Sequence, residues 1–436
     1  MSLDMGSNWS EYVFSQAVNI NPKRNLAKGT VAPYIEMSSV LPDKRKPSEI
    51  KMKEYSYGGA KFKSEDTLLA RITPCLENGK IALVPRISEE IGFGSTEFIV
   101  LSGKDGITDN LFVYYLARSH EVRDFAIKSM TGSSGRQRVP IDAFDHLTVK
   151  IPPLQEQQKI AEILGALDDK IELNYKMNKT LEEIAQAIFK NWFVDFKPFK
   201  DNLVYNEEMG KEIPGGWEVD YITRLIEFDP TIRLEKNKKY LFVSMSDVEP
   251  NCMACNHNFK EYTGSGARFT FGDTLLARIT PSLEHGKTAF VGFLEEDRFG
   301  FGSTEFIVMH PKRTFLHEFV YLLAREKNFR DHAIKSMTGS SGRQRVPREA
   351  LEKYKFVVPP EDILELFHIM LEPFFHQIST NFYESMKLAQ IRDTLLPKLL
   401  SGEIRVNNEE ELGKKENNSK INHKNQKTLD EPVNKE

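Results

Sequence analysis

Long apolar runs, cysteines and a surplus of charge are what this 436-residue chain lacks. No stretch approaches the roughly 18 consecutive apolar residues of a membrane span. The opening MSLDMGSNWSEY has no basic segment followed by an apolar one, so neither an anchor nor a secretory leader is expected. Three cysteines, Cys75, Cys252 and Cys255, are too few for a disulfide framework, in agreement with a reducing, cytoplasmic compartment. A formal net charge of -4 excludes indiscriminate coating of nucleic acid and leaves room only for local basic patches. With 40% hydrophobic and 28% charged residues the chain can bury ordinary cores, and its length suits two or three domains.

What the chain has is repetition. IKSMTGSSGRQRVP occurs at 127–140 and again, letter for letter, at 334–347. DTLLARITPCLENGK at 66–80 returns as DTLLARITPSLEHGK at 273–287, GFGSTEFIV at 92–100 returns unchanged at 300–308, and Trp9 meets Trp217. Offsets of 207 and 208 residues in these blocks describe a tandem duplication with single-residue insertions and deletions in its loops.

Each half closes on a helix. Ile160, Ile163, Leu167, Ile171, Leu181, Ile184 and Ile188 recur in steps of three and four, the pattern of a long amphipathic helix with a coiled-coil seam. Their counterparts in the second half include Phe367, Phe374, Ile378, Leu388, Ile391 and Leu395. Pro152 and Pro153, and Pro359 and Pro360, mark the two helix starts. Neither seam can stay in water, so the helices are expected to pair antiparallel, as a pseudo-twofold rod on the order of 60 Å long for about 40 residues. Asn174 and Asn381 share a seam position, where a polar residue can fix register. FIVL (98–101), IALV (81–84) and LTVKI (147–151) read as strands, and 109–130 as one helix capped by Asp109. The expected fold is α+β: a duplicated α/β domain, each copy followed by a long helix. Its boundaries are 1–151, a helix at 152–200, 201–358, a helix at 359–406, and a disordered tail at 407–436.

The blocks LLARITP-x-LENGK, GFGSTEF and TGSSGRQRVP, then IPPLQEQQKIAEIL and a long helix, all in tandem, resemble the specificity subunit of Type I restriction-modification systems over residues 1 to about 405. The resemblance implies that each globular domain is a target recognition domain reading one half of a bipartite site in double-stranded DNA. It implies that the paired helices are a spacer and a docking surface for two methyltransferase subunits, through which restriction subunits join. It further implies a subunit that performs no chemistry and holds no cofactor, its partner using S-adenosylmethionine.

The repeated loop suits that role. Lys128, Arg136 and Arg138 give each copy a local charge of +3, glycines permit close approach to phosphates, and Ser133 and Ser134 are small donors. Arg136, Gln137 and Arg138 can read guanine and adenine or clamp phosphates; Ser340, Ser341, Arg343, Gln344 and Arg345 are their counterparts. Identical loops suit a shared task such as backbone positioning. Further DNA-binding candidates are Arg71, Thr73, Asn78 and Lys80 with Arg278, Thr280, His285 and Lys287, and Ser95 and Thr96 with Ser303 and Thr304. The GFGSTEF glycines complete no phosphate-binding motif and read as a turn into the FIV strand. Base choice is expected where the halves diverge, at 42–62 against 249–269, and the half-sites are expected to be partly inverted copies.

Enzymatic readings are weaker. Pro42, Asp43, Glu49 and Lys51 spell a P-D-x5-E-x-K pattern that the second half does not keep. Cys252 and Cys255 with His257 make only half a zinc site. The competing class is a duplicated protein-interaction scaffold that never touches DNA.

Overall fold

A computed structural model describes residues 8–42, 44–295, 298–340 and 342–406; the tail from 407, Asp43 and Ser341 lie outside the described residues. The chain divides into two compact units. One joins the chain up to Lys170 with the segment from Leu388, and the other is Ile171–Lys387.

In the first unit the blocks that repeat are the blocks that make sheets. An antiparallel sheet runs in the order Val18–Ile20, Phe98–Gly103, Thr67–Ala70, Ile81–Leu83. A mixed sheet runs Lys51–Glu54, Val31–Ile35, Gly92–Gly94, Ala60–Phe62, its Val31–Ile35 and Gly92–Gly94 strands parallel. TLLA at 67–70 is buried on both faces, which is why it reads as an apolar run without alternation. The GFG of GFGSTEF is itself a strand: a Cβ on Gly92 would stand 2.3 Å from the Phe62 ring. Glycine is there for close packing, and the turn expected in its place begins only at Ser95. The second unit repeats both sheets, and Gly300 stands against Phe269 as Gly92 does against Phe62.

The helix expected over 109–130 is two, Asn110–Arg118 and His120–Lys128. Asp109 caps the first by accepting from Phe112 N at 2.9 Å. Ser119 interrupts the run because it leaves helical geometry and caps the second helix, accepting from Val122 N at 3.2 Å.

The Leu154–Phe193 and Glu361–Leu400 helices, 40 residues each, pair antiparallel within each unit. In the first, buried Asp168 accepts from Arg392 Nη1 at 2.5 Å and from Tyr115 Oη at 2.7 Å, and Leu396 and Leu399 enter the core beside Ile160 and Leu164. Further along, Glu156 binds Arg405 at 2.8 Å and Trp9 Nε1 at 3.1 Å. In the second unit Asn174 Nδ2 donates to Glu384 at 2.8 Å and Ser385 at 3.2 Å, and Asn381 Nδ2 to Asn178 at 2.8 Å. Both seam asparagines are buried in this polar ladder.

The buried stripe is only in part the one expected: Ile160, Phe367 and Ile378 are buried, and Leu181, Ile188, Phe374 and Leu395 pack against the cores. Ile163, Ile184 and Ile391 are exposed, while Leu164, Asp168, Glu182, Ala185 and Phe189 are buried. The helices pack against elements of the sheet-bearing domains as well as each other, so polar groups with partners occupy stripe positions. Glu182, for example, accepts from Tyr321 Oη at 2.6 Å and Met253 N at 3.1 Å.

Two outcomes follow from these contacts. Arg392→Ala strands a buried carboxylate and is expected to cost about 3–5 kcal/mol in urea denaturation, part of which Asp168→Asn restores. The units also neutralise an equivalent buried carboxylate differently. Asp66 faces Arg24, whereas Asp273 faces His310 at 2.6 Å. The hydrogen bond to Asp273 raises the His310 pKa above its ordinary 6.5. Its stabilising contribution is complete below that ordinary value and is lost as pH rises through the raised one. His310→Gln should therefore flatten the fall in stability measured across neutral to mildly alkaline pH, and a slope unchanged by the substitution would contradict the assignment.

Candidate nucleic-acid interface

Two repeated blocks distant in sequence build one surface. The loop at 131–138 closes on itself through Thr131 N to Arg138 O at 3.0 Å, Arg138 N to Thr131 O at 2.9 Å and Arg136 N to Ser133 O at 3.0 Å. Gly132 and Gly135 have φ of 121° and 80°, values that favour glycine. The closed loop is then pinned to the end of the LLARITP block. Thr73 N donates to Gln137 O at 3.0 Å, Gln137 N to Thr73 Oγ1 at 3.0 Å, Val139 N to Arg71 O at 2.9 Å, and Arg71 Nη2 to Val139 O at 2.8 Å. Val139 is fully buried beneath it.

The second unit reproduces this with Thr280, Gln344, Arg278 and Val346; Gln344 N meets Thr280 Oγ1 at 3.1 Å and Arg278 Nη2 meets Val346 O at 2.9 Å. Arg71, Thr73, Arg278 and Thr280 thus hold the loops in shape.

GFGSTEF adds a carboxylate. Glu97 takes both Arg138 Nε and Nη2, at 2.9 Å and 2.7 Å, and Glu305 takes Arg345 at 2.9 Å and 2.6 Å. The Arg138 hydrogen bond, helped by the nearby Arg71 charge, holds the Glu97 carboxyl below its ordinary range; Arg345 and Arg278 do the same for Glu305. The sequence offers Glu97 and Glu305 beside the GFGSTEF hydroxyls without showing that they orient an arginine. The signal was their exact recurrence beside Ser95–Thr96 and Ser303–Thr304.

The remaining candidates divide by exposure. Ser133, Ser134, Arg136, Ser340 and Arg343 stand out at the loop tips, Thr96 and Thr304 are exposed, and Gln137 and Gln344 are half-buried. Asn78 and His285 are exposed on the turn after the proline. Ser95 and Ser303 hydroxyls accept from Glu97 N and Glu305 N at 3.2 Å. Lys80 and Lys287 are turned inward, donating to Met37 O at 2.9 Å and Met245 O at 2.7 Å. Ser341 lies outside the described residues. In the first unit a cleft of about 350 Å³ beside Arg71 and Thr96 is also lined by Lys23, Arg24 and Lys61, cations that the repeat comparison overlooked.

The enzymatic patterns are not assembled. Cys255 is buried, His257 stacks on Phe293 at 4.4 Å, and among the described residues no group of three His, Cys, Asp or Glu could hold a metal. Lys51 of the P-D-x5-E-x-K pattern pairs with Glu36 and Glu49, each at 3.5 Å; Asp43 lies outside the described residues. No described helix is long and apolar enough to cross a membrane.

Each unit therefore offers one preorganised cationic loop on a sheet scaffold. The family model for the Type I restriction modification DNA specificity domain matches residues 15–183. Residues 15–183 thus carry a Type I restriction modification DNA specificity domain, and the chain at large is similar to Type I restriction enzyme specificity subunits. It is similar, at 29% identity over 321 residues, to the Type I restriction enzyme MjaIX specificity subunit of Methanocaldococcus jannaschii, the match covering 70% of this chain and 71% of that one. It is similar at 23% identity to the HindI specificity subunit of Haemophilus influenzae, over 91% and 100% of the two chains. Among solved structures, the S subunit of a Type I restriction-modification system from M. genitalium shares the fold. Its TM-score is 0.52 at 16% identity, with 92% of this chain and 98% of that one covered.

Thr73→Val and Thr280→Val keep side-chain volume and remove the acceptor for the loop amide. Each is expected to cost about 1 kcal/mol and to accelerate hydrogen exchange at Gln137 or Gln344; unchanged exchange there would show that the threonine does not hold the loop.

Proposed function

We propose that this specificity subunit reads a bipartite site in double-stranded DNA, one half with residues 1–151 and the other with 201–358, in a cytoplasmic complex. The long helices, residues 152–200 and 359–406, join the readers and dock two methyltransferase subunits that use S-adenosylmethionine, and restriction subunits enter through them. The observation that carries this reading is the loop at 131–138 and its copy at 338–345, each pinned by the same hydrogen bonds and each ending in the same Arg–Glu pair. A loop whose backbone is closed and whose Arg136 or Arg343 is free to reach outward suits phosphate contact. Because both copies are alike, they serve positioning and leave discrimination to the surfaces that differ. Modifying an adenine would require extruding the base into a catalytic pocket, a task that belongs to the methyltransferase.

The site's modest charge also fits shared binding, since affinity scales with the phosphates neutralised and partner subunits add their own. The test is DNA binding by the complex with its methyltransferase over a salt series. Arg136→Ala and Arg343→Ala should each weaken binding to all sequences alike and reduce the slope of log K against log salt by about 0.9. Binding that is indifferent to both substitutions and to DNA sequence would favour the protein-scaffold reading.

A further inference from the structure

Among the side chains that differ between the units at one sheet edge is one ion pair. From the Glu97–Arg138 pair, contacts lead to the edge of the mixed sheet. Ser95 N donates to Ile35 O at 3.3 Å, and the next residue, Glu36, pairs with Lys51 at 3.5 Å on the exposed Lys51–Glu54 strand. These two side chains are 40% and 47% exposed. In the second unit Ser303 N donates to Val243 O at 3.0 Å, and the positions reached are Ser244 and, on the exposed Asn258–Glu261 strand, Asn258.

Part of the frame around the pair is retained, a lysine over an aromatic ring. Lys53 lies 4.3 Å over the Tyr34 ring and Lys260 lies 4.2 Å over Phe242. Tyr34 in turn packs on Phe93, and Phe242 on Phe301, both at 4.9 Å. Strand pairing is also equivalent, with Lys51 opposite Tyr34 and Asn258 opposite Phe242. The second acid beside Lys51, Glu49 at 3.5 Å, also loses its charge, its counterpart being Asn256. Here two charges of opposite sign are replaced together by a hydroxyl and an amide.

Base-pair chemistry gives that exchange a meaning. An ammonium donates to guanine O6 and N7, and a carboxylate accepts from cytosine N4, so a Lys–Glu pair matches the two major-groove edges of G·C. A carboxamide both donates and accepts, which matches adenine N7 and N6. The Ser244 hydroxyl donates to Asp247 at 2.6 Å and leaves the Asn258 amide as the principal reader.

We propose that Glu36–Lys51 and Ser244–Asn258 are specificity-determining pairs, the first selecting a G·C and the second an A·T base pair at the equivalent position of the two half-sites. This rests on the DNA-reading function proposed above.

The experiment co-expresses the full chain with its methyltransferase and maps methylated sites by long-read sequencing. It uses the wild type, Glu36→Ser with Lys51→Asn, and separately Ser244→Glu with Asn258→Lys. In the first exchange one G·C position of one half-site should become A·T, with methylation at the original base down about tenfold or more and the other half-site unchanged. The reverse exchange should convert A·T to G·C in the other half-site. An unchanged motif in both exchanges overturns the assignment, as does a uniform fall in methylation with the motif kept, which is what lost folding or lost phosphate contact gives. A wild-type complex that methylates no defined motif instead removes the DNA-reading function itself, and the pair's role with it.

Discussion

Everything the interface presents depends on how a glycine-containing loop is denied freedom. Ordering one residue costs about 1–2 kcal/mol of backbone entropy, and a mobile cationic loop would incur that cost each time it bound. The hydrogen bonds between Arg71, Thr73, Gln137 and Val139 meet it during folding instead. Because Thr73 supplies both a backbone donor and a side-chain acceptor, the loop is held at both the N–H and the C=O of one residue, Gln137, and Val139 anchors it from below. The Arg138 guanidinium is then oriented by Glu97. Preorganisation of this kind reduces the ordering that accompanies binding.

The duplication separates what must stay from what can vary. Residues that pin the loops are the same in both units, down to the inward lysines Lys80 and Lys287. Variation gathers on strand edges, where Met52 and Phe259 project into solvent and no core packing constrains the choice. The interior also tolerates different solutions to one problem. A buried aspartate must be paired, and arginine serves in one unit where histidine serves in the other. The divergent surface is thus carried by a scaffold whose geometry is over-determined.

Much of this was legible in the sequence, for reasons that differ by element. The tandem architecture was readable because repeated letters need no energetic interpretation. The strands at 81, 98 and 148 were readable because short apolar runs bounded by turns have few alternatives, and Asp109 announced its helix as a cap. The exposed Ile163 and Ile184 were misread because periodicity measures apolarity, not contact, and a helix with two neighbours buries a wider stripe than a coiled-coil seam. Ser119 was passed over because a single serine inside a helical pattern has to be weighed against its flanks. The roles of Arg71 and Lys80 were hidden for another reason: a cation that serves a backbone carbonyl has the same letter as one that serves a phosphate. The role of Glu97, named in the GFGSTEF block, was not read because its partner Arg138 lies 41 residues away in sequence, although orienting an arginine is a natural use for a carboxylate.

The first recognition unit contains the last described stretch of the chain. Leu396 and Leu399 belong to its core, Arg392 answers its buried Asp168, and Arg405 ties Glu156 near the Trp9 ring. During synthesis, domains ordinarily consolidate in the order in which they leave the ribosome. Here the half that emerges first is finished last. Until the final helix arrives, its apolar face and an unmatched carboxylate await a partner, so a ribosome that stops early releases a protein incomplete at its beginning as well as at its end.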